Sequence, residues 1–298
     1  MKKKLQWIFF MLLAVSLVGG MVSWRSGWLA LGYYSLIMGK GNSAILASHR
    51  VVIDGRPVSG LSKNTSGLTY HPERKTLFTV INGPPQVAEL TTEGRLLRTI
   101  SVKGIEDIEG ISHIRGNLFA ISDEKEQQVK LVEIPDQVAT LDVTEQPRIV
   151  LAVDTGKNVG FEGVSWDHAH NRLFVAKEKR PMRIFEIRGL HDLIECRKVD
   201  LQIGEWRPAD KIMLLMTDLS SLTYHEPTGH MLLLSDESRL VLEFDENRRP
   251  VGMLVLRKGW HGLQQSVPQA EGLALTSAGV LFVLSEPNLF YRFEPSGS

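Results

Sequence analysis

At 298 residues with 43% hydrophobic content, the chain is long enough to bury a large core. Thirty-four basic side chains balance 34 acidic ones, so no basic field points to nucleic acid and no acidic tail suggests a solvated arm. The single cysteine, Cys196, excludes an intrachain disulfide framework and a cysteine-ligated zinc site.

Lys2, Lys3 and Lys4 precede residues 5–22, an uncharged run about long enough to cross a hydrocarbon core as a helix. Trp24 then stands where an aromatic meets the membrane interface, beside Arg25. The run is long for a secretory signal and no Ala-x-Ala site closes it, which favours an uncleaved anchor. Three lysines before the run against one arginine after it put the N-terminus in the cytoplasm. The expectation is a single-pass protein of the inner membrane, with residues 1–25 as basic start and anchor and residues 26–43 as linker. Residues 44–298 then form the folded part, on the periplasmic side of a Gram-negative cell. Residues 28–38 are also apolar, and the sequence leaves open whether they lie on the membrane surface or lead into the fold.

From Ser43 onward the periodicity is strand-like: short apolar runs bounded by Gly, Pro, Asn, Asp or His, with hardly any long helical stretch. Five copies of one phrase recur, headed by Ser66-Gly67, Glu109-Gly110, Glu162-Gly163, Ser220-Ser221 and Glu271-Gly272. Each head opens a strand and is followed, after a turn, by a second apolar strand. Heads roughly 40 to 60 residues apart, with several short strands between them, are the signature of propeller blades. The expected fold is all-β: a five-bladed β-propeller of four-stranded antiparallel blades after an N-terminal transmembrane helix. A six-bladed ring is the alternative if residues 198–216 hide a degenerate blade. Extra length in residues 135–146 and 189–197 leaves room for a short helix. The fifth copy ends one strand short, so residues 45–53 are expected to supply its outer strand and close the ring.

The innermost strand of each blade lines the central channel, so equivalent residues form a ring. Just before each head position stand Ser66, Glu109, Glu162, Ser220 and Glu271; two residues earlier stand Asn64, Asp107, Gly160, Asp218 and Gln269. Alternation puts positions two apart on one face, so the two sets form one group of oxygen donors at one mouth. A second series, Asn82, Asp123, Glu178, Asp236 and Glu286, ends the second strands. Two unit charges about 4 Å apart repel by about 4 kcal/mol at an effective dielectric near 20, so these acids need protons, basic partners or a cation. Hard oxygen donors without cysteine suit Ca²⁺. The candidate ligands are Glu109, Glu162, Asp218 and Glu271, with Asn64 and Asp107 as weaker members. The competing reading is structural: the glutamates cap backbone N–H groups or pair with Lys177, Lys179, Arg180 and Arg183.

The chain resembles the SdiA-regulated family of bacterial envelope proteins, the YjiK/CarP group. The resemblance is carried by Asn64-Thr65-Ser66-Gly67-Leu68-Thr69, Gly160-Phe161-Glu162-Gly163, Ser235-Asp236-Glu237-Ser238-Arg239 and Pro268-Gln269-Ala270-Glu271-Gly272 with Ser285-Glu286-Pro287-Asn288. It implies a five-bladed propeller distantly similar to NHL-repeat propellers, a bound calcium ion at the blade heads, and a role in envelope or calcium-linked physiology. The fourth copy departs from Glu-Gly, which makes Asp218 the conditional ligand.

Two functional classes follow. One is a binding or scaffold module presenting its faces to an envelope protein or a small anionic ligand. The other is a calcium-dependent hydrolase of phosphoesters or lactones, phytase-like, with the cation as Lewis acid. Neither Gly-x-Ser-x-Gly nor His-Glu-x-x-His occurs, and Ser122-x-x-Lys125 lacks companion motifs. His71 and His225 occupy equivalent turns and read as repeat architecture; His261 is the histidine expected nearest the mouth. The binding module needs fewer assumptions.

Overall fold

The computed structural model describes residues 19–21, 27–38, 43, 45–61, 63–151, 160–179, 181–190, 200–209 and 215–296. The expected span over residues 5–22 falls outside these except for residues 19–21, which are helical; Arg180 and Cys196 also lie outside. Among the described residues no helix is long and apolar enough to cross a membrane.

Among the described residues, helix α1 (Trp28–Ile37) precedes 21 strands arranged in five sheets. Blade one is β2 (Thr65–His71), β3 (Thr76–Ile81), β4 (Gln86–Thr91) and β5 (Leu96–Lys103); blade two is β6 (Ile108–Arg115), β7 (Leu118–Asp123), β8 (Gln128–Glu133) and β10 (Arg148–Val150). Blade three is β11 (Phe161–Asp167), β12 (Arg172–Lys177), β13 (Arg183–Arg188) and β14 (Gln202–Trp206); blade four is β15 (Ser221–His225), β16 (His230–Ser235), β17 (Leu240–Phe244) and β18 (Pro250–Val255). Blade five is β19 (Ala270–Leu275), β20 (Leu281–Ser285) and β21 (Leu289–Pro295), completed by β1 (His49–Pro57). β1 pairs antiparallel with β21 from His49 opposite Pro295 to Pro57 opposite Leu289, so the first and last strands close the ring in one sheet.

Two expectations are corrected. Residues 198–216 hold no sixth blade among the described residues; β14 inside them is the outer strand of blade three. Residues 135–146 hold no described helix: β9 (Thr140–Asp142) adds in parallel to β5 as a fifth strand of blade one. Backbone donors left at that edge are taken by a short strand, which needs fewer residues than a helix.

The core lies in the seams. Five clusters of buried side chains each join one blade to the next, as Phe78 and Val80 of blade one meet Phe119 and Ile121 of blade two. In the blade three–four seam, Ala30 and Tyr34 of α1 pack beside Trp206, Met216 and Phe244. Around the channel the blades are also stitched by hydroxyls two residues past the heads. Thr69 accepts from His113 N (3.1 Å), Ser112 from Trp166 N (2.9 Å) and Ser165 from Tyr224 N (2.9 Å).

The head glycines explain half of the recurring phrase. A Cβ on Gly110 would lie 2.5 Å from Glu162 O, and one on Gly67 2.7 Å from Glu109 O, because neighbouring inner strands converge there. Gly110→Ala is therefore expected to cost about 1–3 kcal/mol by overpacking, read as a lower denaturant midpoint at unchanged slope. Each head in blades one, two, three and five also carries a register shift: between Ser66 and Leu68, Ile108 and Ile111, Phe161 and Val164, and Ala270 and Gly272. Such bulges re-aim side chains beside a site. Here they turn the glutamate before the glycine toward the channel.

Candidate metal centre

The inner strands deliver their acids to one mouth, a hollow of about 350 Å³ lined by Glu109, Glu162, Asp218 and Glu271 from the heads. Glu178, Asp236 and Glu286 of the second series line it too, with Glu237, Ser220, Gln269 and one cation, Lys179. Lys179 is already engaged across blades three and four, with Nζ 2.7 Å from Glu178 and 2.8 Å from Glu237. Among the described residues no basic side chain lies within ion-pair distance of Glu109, Glu162 or Glu271.

The electrostatic result is carboxyls that hold on to protons. Burial, and after it Asp236, Glu109, Asp218 and Glu286, pushes Glu271 up to about 9. Burial also raises Glu109 to about 7, with Glu124 and Asp107 adding to the rise against hydrogen bonds that lower it. Glu162 is held well above the carboxylate range by burial and then by Glu109, Glu124, Glu178 and Glu271. These shifts share one cause, desolvated like charges without a counter-charge.

Beside the ring, Asp107, Glu109 and Glu124 bring one oxygen each within 4.8 Å of one another and could hold a metal ion. Asn82 Nδ2 donates to Asp107 (2.5 Å) and Glu109 (2.7 Å), fixing two of the three. Gly160 makes room for the third: a Cβ there would lie 1.8 Å from Glu124 Cγ. Glu109 belongs to both the triad and the ring. The candidate ligand atoms are carboxylate oxygens with the Gln269 amide and the Ser220 hydroxyl, an all-oxygen set suited to a hard divalent cation.

The expected residues are treated unequally. Glu109, Glu162, Asp218 and Glu271 meet at the hollow, and Asp107 stands beside Glu109. Asp218 is already occupied: its carboxylate accepts from Ser235 Oγ, Asp236 N (3.1 Å) and Glu237 N (3.2 Å), clamping the turn that carries Asp236 and Glu237. Burial raises it to about 6, against those hydrogen bonds. Asn64 is exposed, outside the lining, and its backbone carbonyl accepts from Asn82 N at 3.0 Å. Asp123 turns away, accepting from Gln128 Nε2 (2.9 Å) and Glu126 N (3.2 Å), and its neighbour Glu124 points inward instead. Sequence reasoning overlooked Glu124; its signal was the repeated Ser-Asp-Glu of Ser122-Asp123-Glu124 and Ser235-Asp236-Glu237.

Among the described residues no histidine lines this mouth. His261 sits between β18 and β1, donating from Nδ1 to His49 O (3.1 Å) and accepting at Nε2 from Val255 N (3.2 Å). His71 and His113 stack with ring centroids 4.1 Å apart near the opposite mouth, where burial and then His71 push His113 down to about 4. That mouth is a hollow of about 320 Å³ walled by Tyr70, His113, Trp166 and Tyr224, with three of its hydroxyls taken by the stitches described above.

Solved structures with similar architecture include one from a nidogen/laminin complex (14% identity, 80% of this chain and 85% of that chain, TM-score 0.47). A luciferin-regenerating enzyme matches at 13% identity over 83% and 96% of the two chains (TM-score 0.49). The Cps50 (Swd1) β-propeller domain of Myceliophteria thermophila matches at 12% over 76% and 63% (TM-score 0.41). A sequence model of the SdiA-regulated family matches residues 41–294, the whole propeller with its closing strand, and the chain belongs to that family.

Proposed function

We propose that the protein is a membrane-anchored, calcium-binding β-propeller of the bacterial envelope, acting as a binding or scaffold module on the periplasmic side of the inner membrane. The observation that carries this reading is the convergence of Glu109, Glu162 and Glu271 at one mouth without a basic partner in ion-pair distance. Such a group is costly when ionised and is relieved by a cation that accepts six to eight oxygens. Asp107 and Glu124 extend the ligand set through Glu109. Asp218 serves as the clamp that sets Asp236 and Glu237 at the rim. Gln269, Ser220 and water complete the donors that a calcium ion takes.

The hydrolase reading is weaker on one specific ground. An anionic ester needs free positive charge beside the cation, yet Lys179 is held by two carboxylates and Lys177 is buried, its Nζ donating to Lys179 O at 2.7 Å. A module whose mouth holds the ion and whose faces meet an envelope protein fits this arrangement better.

Titration calorimetry of the chelator-stripped protein with Ca²⁺ and with Mg²⁺, beside elemental analysis of the protein as purified, tests the reading. Saturable calcium binding that weakens at least about tenfold, about 1.4 kcal/mol, in Glu162→Gln is expected. A stripped protein that gives no heat with millimolar calcium and shows no change in melting temperature sinks it.

A further inference from the structure

We propose that α1 is a foot at the membrane interface: its outward face lies among lipid headgroups, and it holds the acid-lined mouth on the membrane side of the disc. The helix is ten residues, Trp-Leu-Ala-Leu-Gly-Tyr-Tyr-Ser-Leu-Ile, without one charge. At about 1.5 Å per residue it reaches about 15 Å, too short to span a bilayer. Its inward side is committed to the propeller: Ala30, Leu31 and Tyr34 are buried, and Leu215 N donates to Tyr34 Oη at 3.2 Å. Its other side presents Trp28, Leu29, Leu36 and Ile37 to the outside, Leu36 at 85% exposure. A surface helix facing water carries polar residues there. An apolar face with a tryptophan at one end is the composition of a helix lying in the headgroup region.

The chain itself says what covers this face. The uncharged run of residues 5–22 ends only a few residues before Gly27, and that connection spans at most roughly 17 Å when fully extended. With the run in the bilayer, α1 cannot be far from the same interface. The inference rests on that anchor reading and not on the cation.

The mouth follows from Gly27. Its left-handed backbone (φ 71°) lies so close to blade four that a Cβ would sit 2.5 Å from Ser238 Cα and O. Ser238 directly follows Asp236 and Glu237 of the acid mouth. Trp28 is stacked under Arg257, whose guanidinium carbon is 4.9 Å from the ring centroid and whose Nη2 donates to Ser238 O at 3.2 Å. The end of α1 nearest the anchor is thus tied to the rim of the acid mouth.

The test uses the full chain with Cys196→Ser and a single environment-sensitive fluorophore on Leu36→Cys or Leu29→Cys. It is reconstituted in phosphatidylethanolamine–phosphatidylglycerol vesicles carrying spin-labelled lipid. Control labels go on Leu97 and Val150, which are exposed on blades one and two at 53% and 55%. Labels on the foot are expected to lose about half their emission or more, as burial of about 5–10 Å in the interface requires, while the controls are unchanged. Energy transfer from headgroup-labelled lipid should be stronger to Lys258→Cys, near the acid mouth, than to Glu73→Cys at the opposite one. Protein that floats with vesicles but shows unquenched labels at Leu36 and Leu29 overturns the foot and leaves the anchor standing. Protein that does not float overturns both. Transfer between labels on separate chains, without lipid quenching, means a second copy covers the face and also overturns the proposal. Transfer equal or stronger at Glu73 overturns the orientation.

Discussion

Stripped of divalent cation, the protein is expected to lose thermal stability as pH rises from about 7 to about 9, and saturating calcium is expected to remove most of that slope. Burial raises the Glu109 and Glu271 carboxyls in the folded state to about 7 and about 9, and Asp218 to about 6. Unfolded, the same groups titrate near 4. A group whose folded value lies above its unfolded one stabilises fully below the unfolded value, and that contribution is lost as pH rises through the folded value. Buried neutral histidines act oppositely: His49, His71, His113, His225 and His261 all lie below the ordinary imidazole value, so they add stability as pH rises toward about 6.5. Their opposition ends by about pH 7, which leaves the window above it to the carboxyls. A loss on the order of a few kcal/mol corresponds to a fall of roughly 10 °C at the about 2–4 °C per kcal/mol typical of chains of about two hundred residues. Scanning calorimetry at pH 7, 8 and 9, with chelator and with calcium, reads it. A melting temperature flat across that window in chelator contradicts the electrostatic account of the ring.

Glu162→Gln and Glu271→Gln are expected to stabilise the cation-free protein at pH 8 by about 1–3 kcal/mol while abolishing most of the stabilisation by calcium. An amide keeps the size of the side chain and removes the cost, present at pH 8, of taking up a proton on folding or of holding a desolvated charge. The same change elsewhere should have the opposite sign. Glu89 is buried on β4 with Arg98 Nε at 2.7 Å and Arg74 Nη1 at 3.5 Å, so Glu89→Gln leaves the Arg98 guanidinium without its counter-charge, while Arg74 keeps Asp136, and should destabilise by about 3 kcal/mol. Urea unfolding of the three variants, with and without calcium, checks the pattern. If Glu162→Gln and Glu271→Gln destabilise the stripped protein as Glu89→Gln does, the head glutamates are structural partners and not ligands.

Much of this is legible in the sequence. The five heads, the Glu-Gly phrase and the mouth on which the glutamates gather follow from strand periodicity and blade repetition. Other features were not. Equivalence between blades suggested that Asp123 and Asp218 would behave as their sister residues do. Gln128 and the turn backbone take Asp123, and three donors around Ser235 take Asp218, because each sits where a nearer hydrogen-bond donor competes with the channel. Asn64 was paired with Ser66 by simple alternation, but it lies just before the start of β2 with a left-handed backbone (φ 62°), so strand alternation does not reach it. The α1 segment was ambiguous because an uncharged helix has no polar face to reveal which side meets the protein.

The sequence by itself determined the strand repeat, the family and the glutamate at three of the five heads, since hydrophobic alternation, turn residues and head phrases are local and repeat along the chain. Only the tertiary structure decided which oxygens converge: Glu109, Glu162 and Glu271 around one hollow, Glu124 in place of Asp123, Asp218 as a clamp, and α1 against the seam of blades three and four. The physical reason is that a bulge of one residue, and inner strands so close that a Cβ added at Gly67, Gly110 or Gly163 would lie under 3 Å from the next blade's backbone, set the direction of each carboxyl, and both depend on the neighbouring blade.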